Sequence, residues 1–178
     1  MKLRSLTLED MEKVRQWRNN NLEALRTPYV LTKEMQEEFY KKVIISRDAK
    51  VRLWAIDVGD ELIGMGGLMN IEWENRLAEI SILIDPKKWK MGYGSEAVHL
   101  ILLEGFNNIN VENIYGECYL CSPSVEFWKK ISLKYNAYTT RLPKRKYWKG
   151  NYWDSLYFNI SKNPVFAEDT SGTNGVQS

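Results

Sequence analysis

The decapeptide WKMGYGSEAV, Trp89–Val98, sets Gly92 and Gly94 either side of one aromatic, directly after the strand-like run AEISILIDPKK. Glycine lowers helix stability and gives up more chain entropy on folding than other residues. Two of them where a strand hands over to a helix mark a place where something comes close to the backbone. A strand running through a glycine loop into a helix start leaves unpaired N–H groups at the positive end of the helix dipole, which suits phosphate. The stretch lacks the Gly-Lys-Ser/Thr ending of a Walker loop. The third glycine of a dinucleotide fingerprint is Ala97 here, and no repeating βαβ unit precedes it. Kinase-like and Rossmann readings therefore fall.

Working outward, KLRSL reads as a short strand and TLEDMEKVRQWRNN as a helix, with Thr7 as N-cap and acidic residues in its first turn. LTKEMQEEFYKKVI is a second helix capped by Thr32, with Met35, Phe39 and Val43 spaced to share its apolar face. VRLWAIDV and ELIGMGGLMNIEW form a hairpin turning at Gly59-Asp60, and RLAEISILI is a strand ended by Asp85-Pro86. The helix opened by the glycines runs about four turns, to Asn107 and Asn108. NIYGECYL is the next strand, and SPSVEFWKKI a short helix with Ser122 as N-cap and Pro123 in its first position. Strands near YNAYTTRL and NYWDSLYFNI close a single α/β (α+β) domain over residues 1–162, with a polar tail over 163–178 expected to be disordered. The order β-α-α-β-β-β-α-β-α-β-β implies a mixed sheet with helices on its faces.

The chain has 178 residues, enough for one self-sufficient core, and a net charge of +2, which announces neither a nucleic-acid nor a membrane partner. Its N-terminus, MKLRSLTLED, carries charges where a secretory leader needs an apolar run, and AVHLILLEGF is too short to span a bilayer. A cytoplasmic protein is expected. Cys118 and Cys121 form a C-x-x-C in a strand-forming stretch, where residues three apart face opposite ways, and His99 is the only histidine. No metal or redox site is expected.

Element order and residues together resemble the GNAT superfamily of acyl-CoA-dependent N-acyltransferases. That family's signature Arg/Gln-x-x-Gly-x-Gly/Ala is similar to Trp89, Lys90, Met91, Gly92, Tyr93, Gly94, with Pro86 upstream at the family's distance. Trp89 departs from Arg or Gln, and W-x-x-G-Y-G-S/T-E-A looks like the branch of ribosomal-protein N-terminal acetyltransferases. CSPSVEFWKKI is similar to the family's Asn-x-x-Ala/Ser-Ile-x-x-Tyr-x-Lys, with Cys121 at the Asn, Ser124 at the small residue, Val125 at the Ile and Trp128 at the Tyr. The resemblance covers residues 1 to about 160. It implies a sheet splayed between its fourth and fifth strands, acetyl-CoA as cofactor, and a monomer or homodimer. It implies backbone contacts to coenzyme A from Ile82, Leu83, Ile84, Trp89, Lys90, Met91, Gly92, Tyr93, Gly94 and Ser95, with Cys121, Ser124 and Trp128 alongside.

Acetylating an amine needs a neutral amine, a polarised carbonyl and a proton for the departing thiolate. In LAEISILI, alternation puts Ala78, Ile80, Ile82 and Ile84 on one face and Glu79, Ser81 and Leu83 on the other. Glu79 resembles a family position that serves as general base, directly or through water; the other reading is a structural carboxylate satisfied near the first helix. No acid is assigned, because an indole at Trp128 cannot supply a proton. His99 reads as a packed or surface residue. Trp17, Arg18 and Asn19 resemble a W-R-N near the acceptor mouth of relatives, and equally fit a plain helix end. The basic, aromatic RLPKRKYWKGNYWDS, with Tyr147 and Trp148, is a hairpin placed beside the acceptor, or a solvated turn. The expected activity is direct acetyl transfer from acetyl-CoA to a small-molecule amine, a nucleotide-linked amino sugar or a protein N-terminus. The alternatives are an acyl-CoA binder without turnover, or a nucleic-acid module, against which the small net charge argues.

Overall fold

The computed structural model describes residues 1–26, 28–46 and 49–162; the tail 163–178 of the sequence expectation lies outside them. Strands β1 (Lys2–Arg4), β2 (Arg52–Val58), β3 (Glu61–Glu72), β4 (Leu77–Ile84), β5 (Asn113–Tyr119), β6 (Tyr138–Trp148) and β7 (Asn151–Ser161) form one sheet in the order β1-β2-β3-β4-β5-β7-β6. Helices α1 (Leu8–Asn19), α2 (Lys33–Phe39), α3 (Tyr93–Leu103) and α4 (Val125–Lys134) cover its two faces. Every pairing is antiparallel except β4–β5, which is parallel and spans only Leu77–Glu79 against Asn113–Tyr115. Past Glu79 the two strands part, so β4 keeps β3 on one edge and leaves the other open. This is the splay that the family resemblance implied.

Local chemistry fixes the first helix. Thr7 Oγ1 accepts from the Asp10 amide at 3.4 Å and Asp10 Oδ2 accepts from the Thr7 amide at 2.8 Å, a reciprocal cap. Arg4 on β1 then ties the start of α1 to the sheet, reaching Asp10 at 2.7 Å and Asp57 on β2 at 2.6 Å. On the α1 side, Met11 and Val14 pack with Leu62, Met65 and Ala55, and Trp17 and Leu83 join them. On the other face Ile101, Leu102 and Phe106 of the α3 segment meet Leu68, Ile80, Ile114 and Phe158.

Three local expectations are corrected. In α2, which packs on α1, the buried or core-packed side chains are Gln36, Phe39, Tyr40 and Ile44, while Met35 is 47% exposed; the π turn over Tyr40–Ile44 brings Ile44 to the core in place of Val43. Helix α4 starts at Val125 rather than Pro123: Ser122 Oγ accepts the Ser124 amide at 3.3 Å, holding Ser122–Ser124 as a turn with Ser124 as N-cap. Strand β6 continues through the basic aromatic stretch to Trp148, with a bulge between Leu142 and Lys146 where Lys144 takes φ of +50°, leaving Lys149-Gly150 as the hairpin turn.

Candidate active site

The glycine loop is built from its edges inward. Asp85 Oδ1 accepts the Lys87 amide at 3.0 Å and closes a single 3-10 turn over Pro86–Lys88. The Trp89 indole donates to the Ile84 carbonyl at 2.9 Å, which folds the ring back against the end of β4. Lys90 and Gly92 then take φ of +62° and +88°, and Gly92 becomes the N-cap of α3 with no side-chain cap. The Ser95 and Glu96 amides return to the Gly92 carbonyl at 3.0 and 3.2 Å. The amides of Tyr93 and Gly94 have no intrahelical acceptor, as at any helix start, and here no side chain takes them.

The two glycines answer to different neighbours. A Cβ at Gly92 would meet nothing within 4 Å, so glycine there serves the left-handed turn beside open space. A Cβ at Gly94 would lie 3.1 Å from the Phe127 ring, so glycine there lets α3 approach α4. Phe127 in turn packs edge-on against Trp128 at 5.0 Å, and Trp128 stacks on Phe158 at 4.7 Å. Trp128 is 9% exposed and belongs to the core, one ring removed from the loop. The structure therefore does not bring it to the cofactor loop as the resemblance implied: its indole packs between Phe127 and Phe158. Ser124 pairs with Ser122 at 2.7 Å, and the Cys121 thiol points to the Glu23 carbonyl at 3.8 Å, on the opposite side of the splay from the glycine loop. Both cysteines are free thiols.

At the mouth of the splay stands Glu79. Its Oε1 accepts from Arg26 at 2.7 Å and its Oε2 from Asn70 Nδ2 at 2.6 Å, and its side chain is 15% exposed. Register places Tyr115 of β5 opposite it, and Tyr115 stacks on Tyr157 of β7 at 5.8 Å. Burial, then the Glu79 charge, pushes both phenols above their ordinary value of 10, so both stay protonated at neutral pH. Glu117, two residues along the same face, accepts from Arg145 at 2.8 Å and from Ser155 at 2.7 Å. Burial alone would raise its carboxyl; those two bonds outweigh burial and hold it below 4.5.

The segment joining α1 to α2 roofs this floor. Lys146, 5% exposed, donates to the carbonyls of Leu22, Glu23 and Leu25 at 3.3, 2.5 and 2.6 Å. Its ammonium lies 5.0 Å from the ring centres of both Tyr119 and Trp148. Asn19 grips Leu31 through both amide atoms, at 2.8 and 3.0 Å, and so closes the segment at its other end. Trp17 packs in the α1 core rather than at the floor. Trp148 is half-buried behind Lys146, and alternation turns the exposed Tyr147 away from the Lys146 side, where it meets Tyr152 at 5.2 Å. Tyr147 is thus not brought to the floor. His99 bonds the Tyr135 hydroxyl at 3.1 Å, a packed residue as expected.

A seven-stranded mixed sheet with one short parallel pairing, an uncapped glycine helix start and a carboxylate at the splay defines the fold of the acyl-CoA-dependent acyltransferases. The model for "Acetyltransferase (GNAT) domain" matches residues 1–120, and the chain belongs to this family. Spermidine N(1)-acetyltransferase of Escherichia coli (strain K12) is 29% identical over 119 residues, covering 65% of this chain and 62% of that relative. The uncharacterized N-acetyltransferase p20 of Bacillus licheniformis is 25% identical over 166 residues, covering 90% of this chain and 92% of that relative. Among solved structures, the spermidine N-acetyltransferase of Vibrio cholerae in complex with CoA and spermine superposes with a TM-score of 0.79 at 22% identity, covering 90% of this chain and 94% of that one. No helix among the described residues is long and apolar enough to cross a membrane.

Proposed function

We propose that this protein moves an acetyl group from acetyl-CoA to a primary amine by direct attack in a ternary complex. The observation that carries the reading is Glu79, fixed through both oxygens at the point where β4 parts from β5. The residues fit the cofactor: the open β4 edge along Ile82, Leu83 and Ile84 suits an extended amide-bearing arm, and the uncapped start of α3 beside Gly92 suits a pyrophosphate. Lys90, Met91 and Tyr93 would frame that pyrophosphate with backbone amides, while the Ser95 amide is held by the Gly92 carbonyl; Gly94 serves it indirectly, by seating α3 on Phe127. Acetyl-CoA supplies the activated thioester carbonyl.

The chain's own task is to deliver an uncharged amine. Glu79 accepts the amine proton directly or through one water, and Arg26 and Asn70 keep the carboxylate from rotating away. The segment held by Lys146 excludes water from the floor on the acceptor side. Small-molecule amines, polyamines such as those named for the relatives, nucleotide-linked amino sugars and protein N-termini are the acceptor classes to compare. The test is release of free coenzyme A thiol from acetyl-CoA with a panel of amines. Amine-dependent release supports the reading; tight acetyl-CoA binding with no release by any amine would leave a binder without turnover.

A further inference from the structure

Acetyl transfer also needs a proton for the departing thiolate, and Trp128, stacked in the core, cannot bring one. The donor has to face Glu79, because the carbonyl under attack must lie within reach of the carboxylate that serves the amine. The tyrosines around the splay differ in this respect. Tyr93 packs with Ile56, Ile63 and Ile84 on the α3 face of the sheet, away from the floor. Tyr119 is 5% exposed beneath Lys146, further along β5. Tyr157 stands one strand removed, on β7, opposite Glu117. Tyr115 is paired with Glu79 in the last register position before β4 and β5 part. Side chains of such partners rise from the same face of the sheet, so phenol and carboxylate stand together at the parting. Tyr115 is half-buried and stacked on Tyr157 at 5.8 Å, and its hydroxyl has no hydrogen-bond partner among the described residues.

The groups around Tyr115 decide when its proton can leave. Burial, then the charges of Glu79 and Glu72 and the neighbouring Tyr157, keep the phenol protonated, and the Arg26 guanidinium acts in the other direction. Glu117, two residues along the strand, is bound to Arg145. When Glu79 takes the amine proton its charge is lost, and with it the largest electrostatic hold on the phenol. The acid therefore becomes able to act after the base has acted. We propose that Tyr115 is the general acid of the transfer, its Oη giving a proton to the sulfur as the carbon–sulfur bond breaks. The electron pair of that bond passes to sulfur, and the phenolate recovers through water the proton that Glu79 took, so the protein ends as it began. The proposal rests on the acetyl-transfer reading with Glu79 as base.

Tyr115→Phe removes only the hydroxyl and keeps the stacked ring. It should lower kcat about a hundredfold or more and leave the acetyl-CoA KM within about twofold, while Tyr157→Phe loses less than about tenfold. Difluorotyrosine in place of Tyr115 carries a more acidic phenol and should bring the basic limb of the kcat profile to lower pH. One readout needs no turnover: with no cofactor present, the ultraviolet titration of wild type less that of Tyr115→Phe isolates this phenol. The same difference taken in Glu79→Gln should show it ionising at lower pH. A smaller fall in kcat for Tyr115→Phe, an equal fall in Tyr157→Phe, a basic limb unmoved by the fluorinated ring, or a phenol titration unchanged in Glu79→Gln would each overturn the proposal and leave acetyl transfer standing. Absence of release by the wild type with every amine, with acetyl-CoA binding intact by calorimetry, would instead overturn the acetyl-transfer reading and this proposal with it.

Discussion

Arg26 Nη2 lies 2.7 Å from Glu79 Oε1, joining the segment between α1 and α2 to the strand that opens the splay. The acceptor-side roof and the carboxylate beneath it are thus one unit, and a change in either is felt by the other. If Glu79 receives the amine proton, Glu79→Gln should lower kcat by roughly two to four decades, as loss of a general base commonly does. The acetyl-CoA KM should stay near wild type. Arg26→Gln should lower kcat less and raise the amine KM, because the carboxylate remains but its roof loosens. Near-normal turnover in Glu79→Gln across pH 6–9 would reduce Glu79 to a structural carboxylate.

Gly92 allows charge and backbone strain to be separated. Aspartate and asparagine both tolerate a φ near the +88° seen there better than other residues, and both find open space. Gly92→Asp should weaken acetyl-CoA binding at least tenfold, about 1.4 kcal/mol, by repulsion against phosphate. Gly92→Asn should lose much less. Calorimetry on the two folded variants checks this, and equal affinities would move the pyrophosphate elsewhere.

Lys146 donates to the carbonyls of Leu22, Glu23 and Leu25, the first of which also accepts the Leu25 amide and the second the Cys121 thiol. Hydrogen bonds to charged groups contribute about 1.5–3 kcal/mol each at most, and freed carbonyls regain water, so Lys146→Met should cost about 2 kcal/mol in total. It should raise the amine KM more than the acetyl-CoA KM. Trp148→Ala, which uncovers that ammonium, should show the same pattern more weakly. Amine and acetyl-CoA KM values rising equally in either variant would detach the roof from acceptor binding.

The β1–α1 junction sets the acid limit of stability. Burial would raise the Asp10 carboxyl, but the Arg4 guanidinium and the bonds with Thr7 outweigh it and hold the group below 3.8. With the folded value below the unfolded one, its stabilising contribution is complete above about pH 4 and drains away as pH falls further. Removing one partner of a buried pair costs about 3–5 kcal/mol; Arg4 keeps part of its surface in water, so Arg4→Met should cost about 2–3. Urea melts at pH 7 and pH 3 should show that difference shrinking at the lower pH.

The element order and the splay were legible because glycine placement, capping residues and strand alternation are local signals. Thr7 capping α1 and Gly59-Asp60 turning β2 into β3 need only their neighbours in sequence. Glu79 stood out because a carboxylate in mid-strand is conspicuous. Arg26 and Lys146 carried no such mark: their roles depend on contacts 53 and 121–124 residues away in the chain. The face of Tyr115, Glu117 and Tyr119 was readable from alternation in NIYGECYL, yet nothing local said that β7 would bring Tyr157 and Ser155 beside it. Trp128 misled for a similar reason, since only the packed fold shows Phe158 waiting to stack on it.

Direct transfer in a ternary complex is tested most directly by initial velocities of coenzyme A release over a matrix of acetyl-CoA and amine concentrations. Double-reciprocal lines that intersect, with release falling at least a hundredfold in Glu79→Gln, are the expected result. Parallel lines, or release that does not depend on the amine, would contradict it.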